Sequence, residues 1–240
     1  MHANLYIRKH SYFVEINMNK IVFDIETSGV DWEDLDGEQQ KYLLKFTKSE
    51  EDVEQVKQQL ALHALTAEIV CIGMLNPDTG KGAVYYRDND EIEEKEFFEE
   101  DIFYIAGSEA EILEKFWASM RHYHQFITFN GRSFDCPFLL IRSAILGVRA
   151  TKNLMPPRYN SNIHVDLLEQ LNFYSATRKF SLDFYCKAFG IDSPKSHGMN
   201  GHDVPEYFKQ KRTLEIAKYC VGDLYATKKL YDKWQSSIRF

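Results

Sequence analysis

The chain has 240 residues and few of the residues that make an assignment easy. There are four cysteines, Cys71, Cys136, Cys186 and Cys220, with no C-x-x-C pair among them. That spacing argues against a structural zinc site or a disulfide framework. The four thiols read as small buried hydrophobes in a reducing, cytoplasmic setting. No apolar run reaches the roughly 18 residues that a membrane span requires. Residues 1–19 lack the compact apolar stretch of a secretory signal and are expected to be an N-terminal extension. Six prolines and 12 glycines leave no Pro/Gly-rich linker, and there is no repeat or low-complexity tract. One domain over residues 20–240 is the simplest organisation.

Basic charge is also scarce. The net charge is −7, which looks wrong for a partner of nucleic acid, since phosphate contacts need Lys and Arg. The distribution changes that picture. Residues 24–120 hold eight Lys or Arg against 25 Asp or Glu, whereas residues 121–212 hold 13 against seven. Such asymmetry is compatible with one basic face meeting a polyanion, and equally with charges that only solvate the surface.

The pattern along the chain is that of an α/β layered domain. Ile21–Ile25 is an apolar, β-branched strand interrupted by an acid and closed by Thr27-Ser28-Gly29. Glu68–Leu75 and Lys81–Tyr86 are strands of a hairpin around Asn76-Pro77-Asp78-Thr79-Gly80. Ser108-x-x-Glu111 opens a helix over 108–122 as a capping box. Gln125–Asn130 is a fourth strand, and a helix follows from about Asp135 to Leu146 with Pro137 in its first turn. Ser181–Phe189 is a short helix stopped by Gly190. About Arg212 to Gln235 is a long one, with Ala217, Cys220, Val221, Leu224 and Tyr231 as its apolar stripe. Residues 31–66 form a charged, helix-prone insertion between the first two strands.

Carboxylates carry the chemistry. Asp24 and Glu26 are two apart on a strand, so both project from one face, and that face is otherwise apolar. Two such acids repel and lose hydration, for which a hard divalent cation is the natural compensation; a strand-end pair facing water is the plainer alternative. Asp135 stands where the fourth strand turns into a helix, a place that N-capping alone would explain. Asn130 and Gly131 allow a tight turn there, and Phe134 and Phe138 offer flat surfaces for a base or for the core. Tyr219 and Asp223 are i, i+4 on the last helix and share a face. Taken singly, none of these is specific. Four carboxylates on one strand and two helices suit a pair of metal ions that clamp an in-line phosphoryl displacement.

The conjunction resembles a known family. Phe23-Asp24-Ile25-Glu26-Thr27 looks like the first exonuclease motif of the DEDD superfamily. Asn130 through Leu139 resembles the second motif as family-B DNA polymerases write it, N-x-x-x-F-D-x-P-[YF]-L. Tyr219-Cys220-Val221-Gly222-Asp223 resembles the tyrosine form of the third, because the histidine form would put His where this chain has Lys218. The chain is thus similar to DEDDy exonucleases, and more closely to stand-alone exonucleases related to the family-B proofreading domain.

The resemblance implies a ribonuclease H-like mixed sheet, an antiparallel three-strand meander plus parallel strands, flanked by helices. It implies a 3′→5′ exonuclease that releases nucleoside 5′-monophosphates, with Asp24, Glu26, Asp135 and Asp223 binding two Mg²⁺ or Mn²⁺ ions. Tyr219 would orient the attacking water. Thr27, Ser28, Asn130 and Phe134 would contact the substrate, a nucleic-acid 3′ end for which single-stranded DNA is favoured. RNA, or a silent nucleic-acid-binding protein with the same fold, are the alternatives. Weaker features remain. His197 and His202 suit no zinc pattern and read as loop surface. Asp166 reads first as a helix cap and second as a neighbour of the metal site. The aromatic-basic stretch with Tyr159, Phe173, Tyr174, Arg178 and Lys179 reads as core or as the lining of a single-strand groove.

Overall fold

The computed structural model describes residues 19–88, 95–192 and 198–239. The N-terminal extension, apart from Asn19, and His197 therefore lie outside the described residues. Strands β1 (Lys20–Gly29), β2 (Ala67–Leu75) and β3 (Gly82–Arg87) make the expected antiparallel meander. On the other side of β1, β6 (Gln125–Thr128) runs parallel to it, and β7 (His164–Asp166) runs parallel to β6. The fold is the mixed, ribonuclease H-like sheet that the sequence motifs imply.

Two strands were not expected. β4 (Glu96–Glu99) and β5 (Ile102–Gly107) form a hairpin whose second strand pairs in parallel with β3. They extend the sheet to seven strands in the order β4-β5-β3-β2-β1-β6-β7. Their connection is Glu100-Asp101, and Glu100 has φ +52°, a conformation usually given to glycine in such turns. Without that glycine the sequence gives no turn signal.

Helices cover both faces. On one side lie α3 (Glu109–Met120) and α4 (Asp135–Ile145), over a core that includes Phe23, Ile25, Ile72, Phe116 and Trp117. On the other lies α8 (Thr213–Ser237), with the short α5 (Leu167–Leu171), α6 (Leu182–Phe189) and α7 (Val204–Lys209), over Val22, Cys71, Val84 and Leu224. Alternation along β1 therefore sends Phe23 and Ile25 to α3 and α4, and Val22, Asp24 and Glu26 toward α8. Gly73, the partner of Asp24 across the β1–β2 ladder, lets α8 come close: a Cβ there would sit 2.7 Å from Cys220 Sγ and from Leu224 Cδ1. All four cysteines are buried and free.

The insertion is two helices rather than one. α1 (Gly37–Leu43) starts at an Asp36 capping box and α2 (Glu50–Gln59) at a Ser49 capping box. Its large apolar residues divide. Leu60 is buried, while Tyr42, Phe46 and Leu65 are 76%, 83% and 74% exposed.

Candidate active site

Asp24 and Glu26 lie side by side on β1, opposite Gly73 and Cys71, and the register slips by one residue directly after Glu26. On α8, Tyr219 and Asp223 are one turn apart and face the same strand. Carboxylate oxygens of Asp24, Glu26 and Asp223 all lie within 4.8 Å of one another. Glu26 is buried; Asp24 and Asp223 are half-buried. Burial, then the charges of Asp135 and Asp223, push the Asp24 carboxyl well above its usual range. Burial, then Asp24, does the same to Glu26. The cluster is a set of acids that hold one another's protons on.

Asp135 is a neighbour of this trio. It is the first residue of α4 and is not the helix cap; that position belongs to Phe134, which makes no side-chain cap bond. The capping explanation is corrected, because Asp135 Oδ1 instead accepts the backbone N–H of Ile25 at 3.1 Å. Where β1 runs past the end of β6, the side chain takes the place of a neighbouring strand. Burial raises the Asp135 carboxyl to about 7, against the lowering effect of the Ile25 bond.

The turn that delivers Asp135 is held from the other side by Asp166. Its Oδ1 accepts from Asn130 N at 3.1 Å and its Oδ2 from Arg132 N at 2.9 Å. Oδ1 also caps α5, accepting from Leu168 N and Glu169 N at 3.0 and 3.3 Å. The cap was legible from the sequence, but the second task was not, since it depends on β6 and β7 ending together. Asn130 has φ +64°, which an asparagine tolerates better than most residues. Gly131 is required by space: a Cβ would meet Thr128 Oγ1 at 2.4 Å.

The remaining candidates are placed as follows. Tyr219 is half-buried and hydrogen-bonded to the Asp223 side chain; burial first, then Glu26 and Asp223, push its phenol well above the ordinary range. Thr27 and Ser28 are buried, and the Thr27 hydroxyl donates to Ala61 O at 2.7 Å, tying β1 to the insertion. Phe134 is half-buried beside Phe138, with ring centroids 5.5 Å apart. It also walls a groove of about 740 Å³ that runs between α1, the 62–66 segment and α4. Cys220 was read only as packing, yet its thiol lies 3.8 Å from Asp24 Oδ2. His202 is exposed, as expected of loop surface.

Oxygen-only donors, converging in a desolvated place where they repel, fit a hard divalent cation of the Mg²⁺ or Mn²⁺ kind. Fold and site together define a domain of ribonuclease H-like architecture with a cluster of carboxylates between β1 and α8. The comparisons agree. Residues 82–237 match the family described as "Predicted 3'-5' exonuclease related to the exonuclease domain of PolB", and the chain belongs to that family. The matched span holds Asp135, Tyr219 and Asp223, while Asp24 and Glu26 precede it. Among solved structures, the chain is similar to the family B DNA polymerase from the hyperthermophilic archaeon Pyrobaculum calidifontis, with a TM-score of 0.58 at 17% identity. The likeness covers 91% of this chain and 24% of the polymerase, so it speaks for the fold alone. No curated protein matches the chain by sequence. Among the described residues, no helix is long and apolar enough to cross a membrane.

Proposed function

We propose that this protein is a divalent-metal-dependent exonuclease that removes nucleoside 5′-monophosphates from the 3′ end of single-stranded DNA. The observation that carries the reading is the convergence of Asp24, Glu26 and Asp223 within 4.8 Å, beside a fourth buried carboxylate, Asp135. Asp24, Glu26, Asp135 and Asp223 would hold two Mg²⁺ or Mn²⁺ ions. When bound, such ions supply Lewis-acid stabilisation to the attacking and leaving oxygens of an in-line phosphoryl displacement.

The chain's own groups do the rest. β1 and α8 fix three carboxylates without flexible linkers, and the Ile25 N–H holds the fourth in one orientation. Tyr219 keeps its proton at neutral pH, so it orients a water by hydrogen bonding and does not act as a base. The backbone at Thr27 and Ser28, the Asn130 side chain and the Phe134 ring are proposed to receive the terminal nucleotide. Kinship with a DNA polymerase's exonuclease domain supports DNA over RNA. The acids of the insertion support a single strand over a duplex. The four free, buried thiols support a reducing, cytoplasmic setting. A single domain over residues 20–240, with residues 1–19 outside it, belongs to the same reading.

The test is a digest of 5′-labelled DNA and RNA, single-stranded and duplex, with Mg²⁺ or Mn²⁺ and with a chelator. Stepwise shortening of the DNA strand with release of mononucleotides is expected only with metal. Strand binding without hydrolysis would leave a nucleic-acid-binding protein and end the enzymatic reading.

A further inference from the structure

The aromatic-basic stretch around residue 170 is left over from the site, and the structure puts it on the surface. Tyr159 is 72% exposed and Phe173 59% exposed. Arg178 and Lys179 are exposed, and neither is in an ion pair among the described residues. Core packing therefore does not explain these rings.

The backbone makes the display of Phe173 harder to dismiss. Phe173, Tyr174 and Ser175 have φ values of +51°, +57° and +77°, three consecutive non-glycine residues in the left-handed region. Each such residue is strained, because its Cβ crowds the backbone in that region. The turn is held by buried Asn172, whose Oδ1 accepts Ser175 N at 2.7 Å, and by Tyr174 N donating to Glu169 O at 2.7 Å. Burial of the Phe173 ring does not offset that strain, because the ring faces water. Tyr159 meets the half-buried Tyr174 edge-on at 4.7 Å and Phe173 directly precedes Tyr174 in the turn, which puts the two exposed rings on one stretch of surface, the ridge.

The ridge is linked to the carboxylate site. Arg132, in the turn before Asp135, lies 3.6 Å from Glu169, which is paired at 2.7 Å with Arg158, whose guanidinium in turn lies over the Tyr174 ring. The ridge lies in the half of the chain that carries the excess of Lys and Arg, unlike the acid-rich insertion. We infer that this ridge is the path of the single DNA strand leading to the site, with bases stacked on Tyr159 and Phe173 and phosphates met by Arg178 and Lys179. Stacking on exposed rings is indifferent to base identity, as an exonuclease that meets every sequence needs, and the cations five and six residues on from Phe173 match the phosphates.

The inference rests on the exonuclease reading, and the test separates the two. Affinity for a 5′-fluorescent 15-nucleotide DNA strand is measured by anisotropy in EDTA, where nothing is hydrolysed. Phe173→Ala and Tyr159→Ala are each expected to weaken binding roughly tenfold. In Mg²⁺, KM for that strand should rise to match while kcat on a trinucleotide is unchanged. Phe173→Gly supplies the readout that a structural role would not give. Glycine relieves the left-handed strain, so the melting temperature should rise while binding still falls. Wild-type affinity and KM in these variants, with hydrolysis intact, would overturn the path and leave the exonuclease standing. A fall in melting temperature for Phe173→Gly would assign the ring to folding. An RNA strand run alongside decides the source, since a loss confined to RNA overturns the assignment to DNA. A wild-type protein that binds neither strand in EDTA yet hydrolyses DNA in Mg²⁺ would overturn the path alone, and one that neither binds nor hydrolyses would overturn both readings.

Discussion

The end of β1 and the insertion that leaves it are neighbours in sequence and opposites in physics. At Asp24 and Glu26 the chain puts acids where water is scarce; at Tyr42, Phe46 and Leu65, in the insertion that follows, it puts apolar surface where water is plentiful. Both run against the partition that stabilises a fold. They differ in how tightly the surroundings hold them. Asp24, Glu26 and Asp223 sit on an interior strand and a 25-residue helix, and Asp135 at the start of α4 is tied to that strand by the Ile25 N–H. Of the apolar residues, Tyr42 sits on the seven-residue α1, which buries no side chain, and Phe46 and Leu65 sit in turns outside the helices. Precision is kept where chemistry needs it.

The sharpest break in that comparison is Asp24→Asn or Asp223→Asn. Each removes a ligand charge and is expected to lower turnover about 10³-fold or more, because the remaining acids no longer define a cation site. Folding should survive, since a self-repelling group has been removed. A variant with near wild-type turnover in Mg²⁺ would show that the cluster is not the reaction centre.

Next in size is Tyr219→Phe, which leaves every carboxylate in place and removes one hydroxyl. Turnover should fall roughly 10²-fold with little change in metal affinity. Equality with Asp24→Asn would make the hydroxyl as necessary as a ligand. No loss would place it outside the reaction.

The contrast between the two regions also decides what could be read in advance. Alternation on a strand and i, i+4 spacing on a helix are local geometry, so Asp24 with Glu26 and Tyr219 with Asp223 were legible as pairs. That the pairs meet depends on β1 and α8 packing at Gly73, which no local pattern carries. The resemblance to the family supplied that step. β4 and β5 were illegible for a different reason. Glu96 and Glu99 crowd β4 and Glu100 and Asp101 make its turn, so the hairpin carries no strand-turn-strand signal and pairing of β5 on β3 selects it. Asp166 was half legible, as the cap of α5 but not as the anchor of the Asn130 turn.

A smaller effect follows from the raised carboxyls. Asp24, Glu26 and Asp135 bind protons more tightly in the folded chain than in the unfolded one. The stability they give is complete below the ordinary carboxylate pKa and is lost as pH rises through the folded values, about 7 for Asp135. In EDTA the melting temperature should therefore drop by roughly 3–6 °C between about pH 5 and pH 8. Mn²⁺ should restore it at the upper end, and Asp24→Asn should flatten the slope. His164 works in the opposite direction: buried with its pKa lowered to about 3, it removes stability as pH falls below its ordinary value. The part of the profile that Mn²⁺ abolishes is the carboxylates' own, and a profile indifferent to Mn²⁺ would count against a cation site.

The smallest effect tests the insertion, the loosely held half of the comparison. Its acids are grouped at Glu50, Glu51 and Asp52 on the first turn of α2 and Glu54 just after it, with Asp36 and Glu38 on the groove beside α4. Both its ends belong to the site's surroundings: Thr27 bonds Ala61 O, and Val30 N donates to Thr66 O at 2.9 Å. An acidic flap so tethered repels the second strand of a duplex more than a flexible single strand that can bend away. Deleting Asp34–Lys57 and bridging with glycines leaves Leu60 and the Thr27 contact in place, so β1 keeps its support. Hydrolysis of duplex DNA relative to single-stranded DNA should then rise several-fold, on the order of 3–10 at low salt, and less at high salt where the flap's field is screened. The comparison is made on matched strands with one protein preparation, so overall losses of activity cancel in the ratio. An unchanged ratio in a folded deletion variant would mean that duplex is refused elsewhere, by the narrowness of the cleft between β1 and α8 rather than by charge.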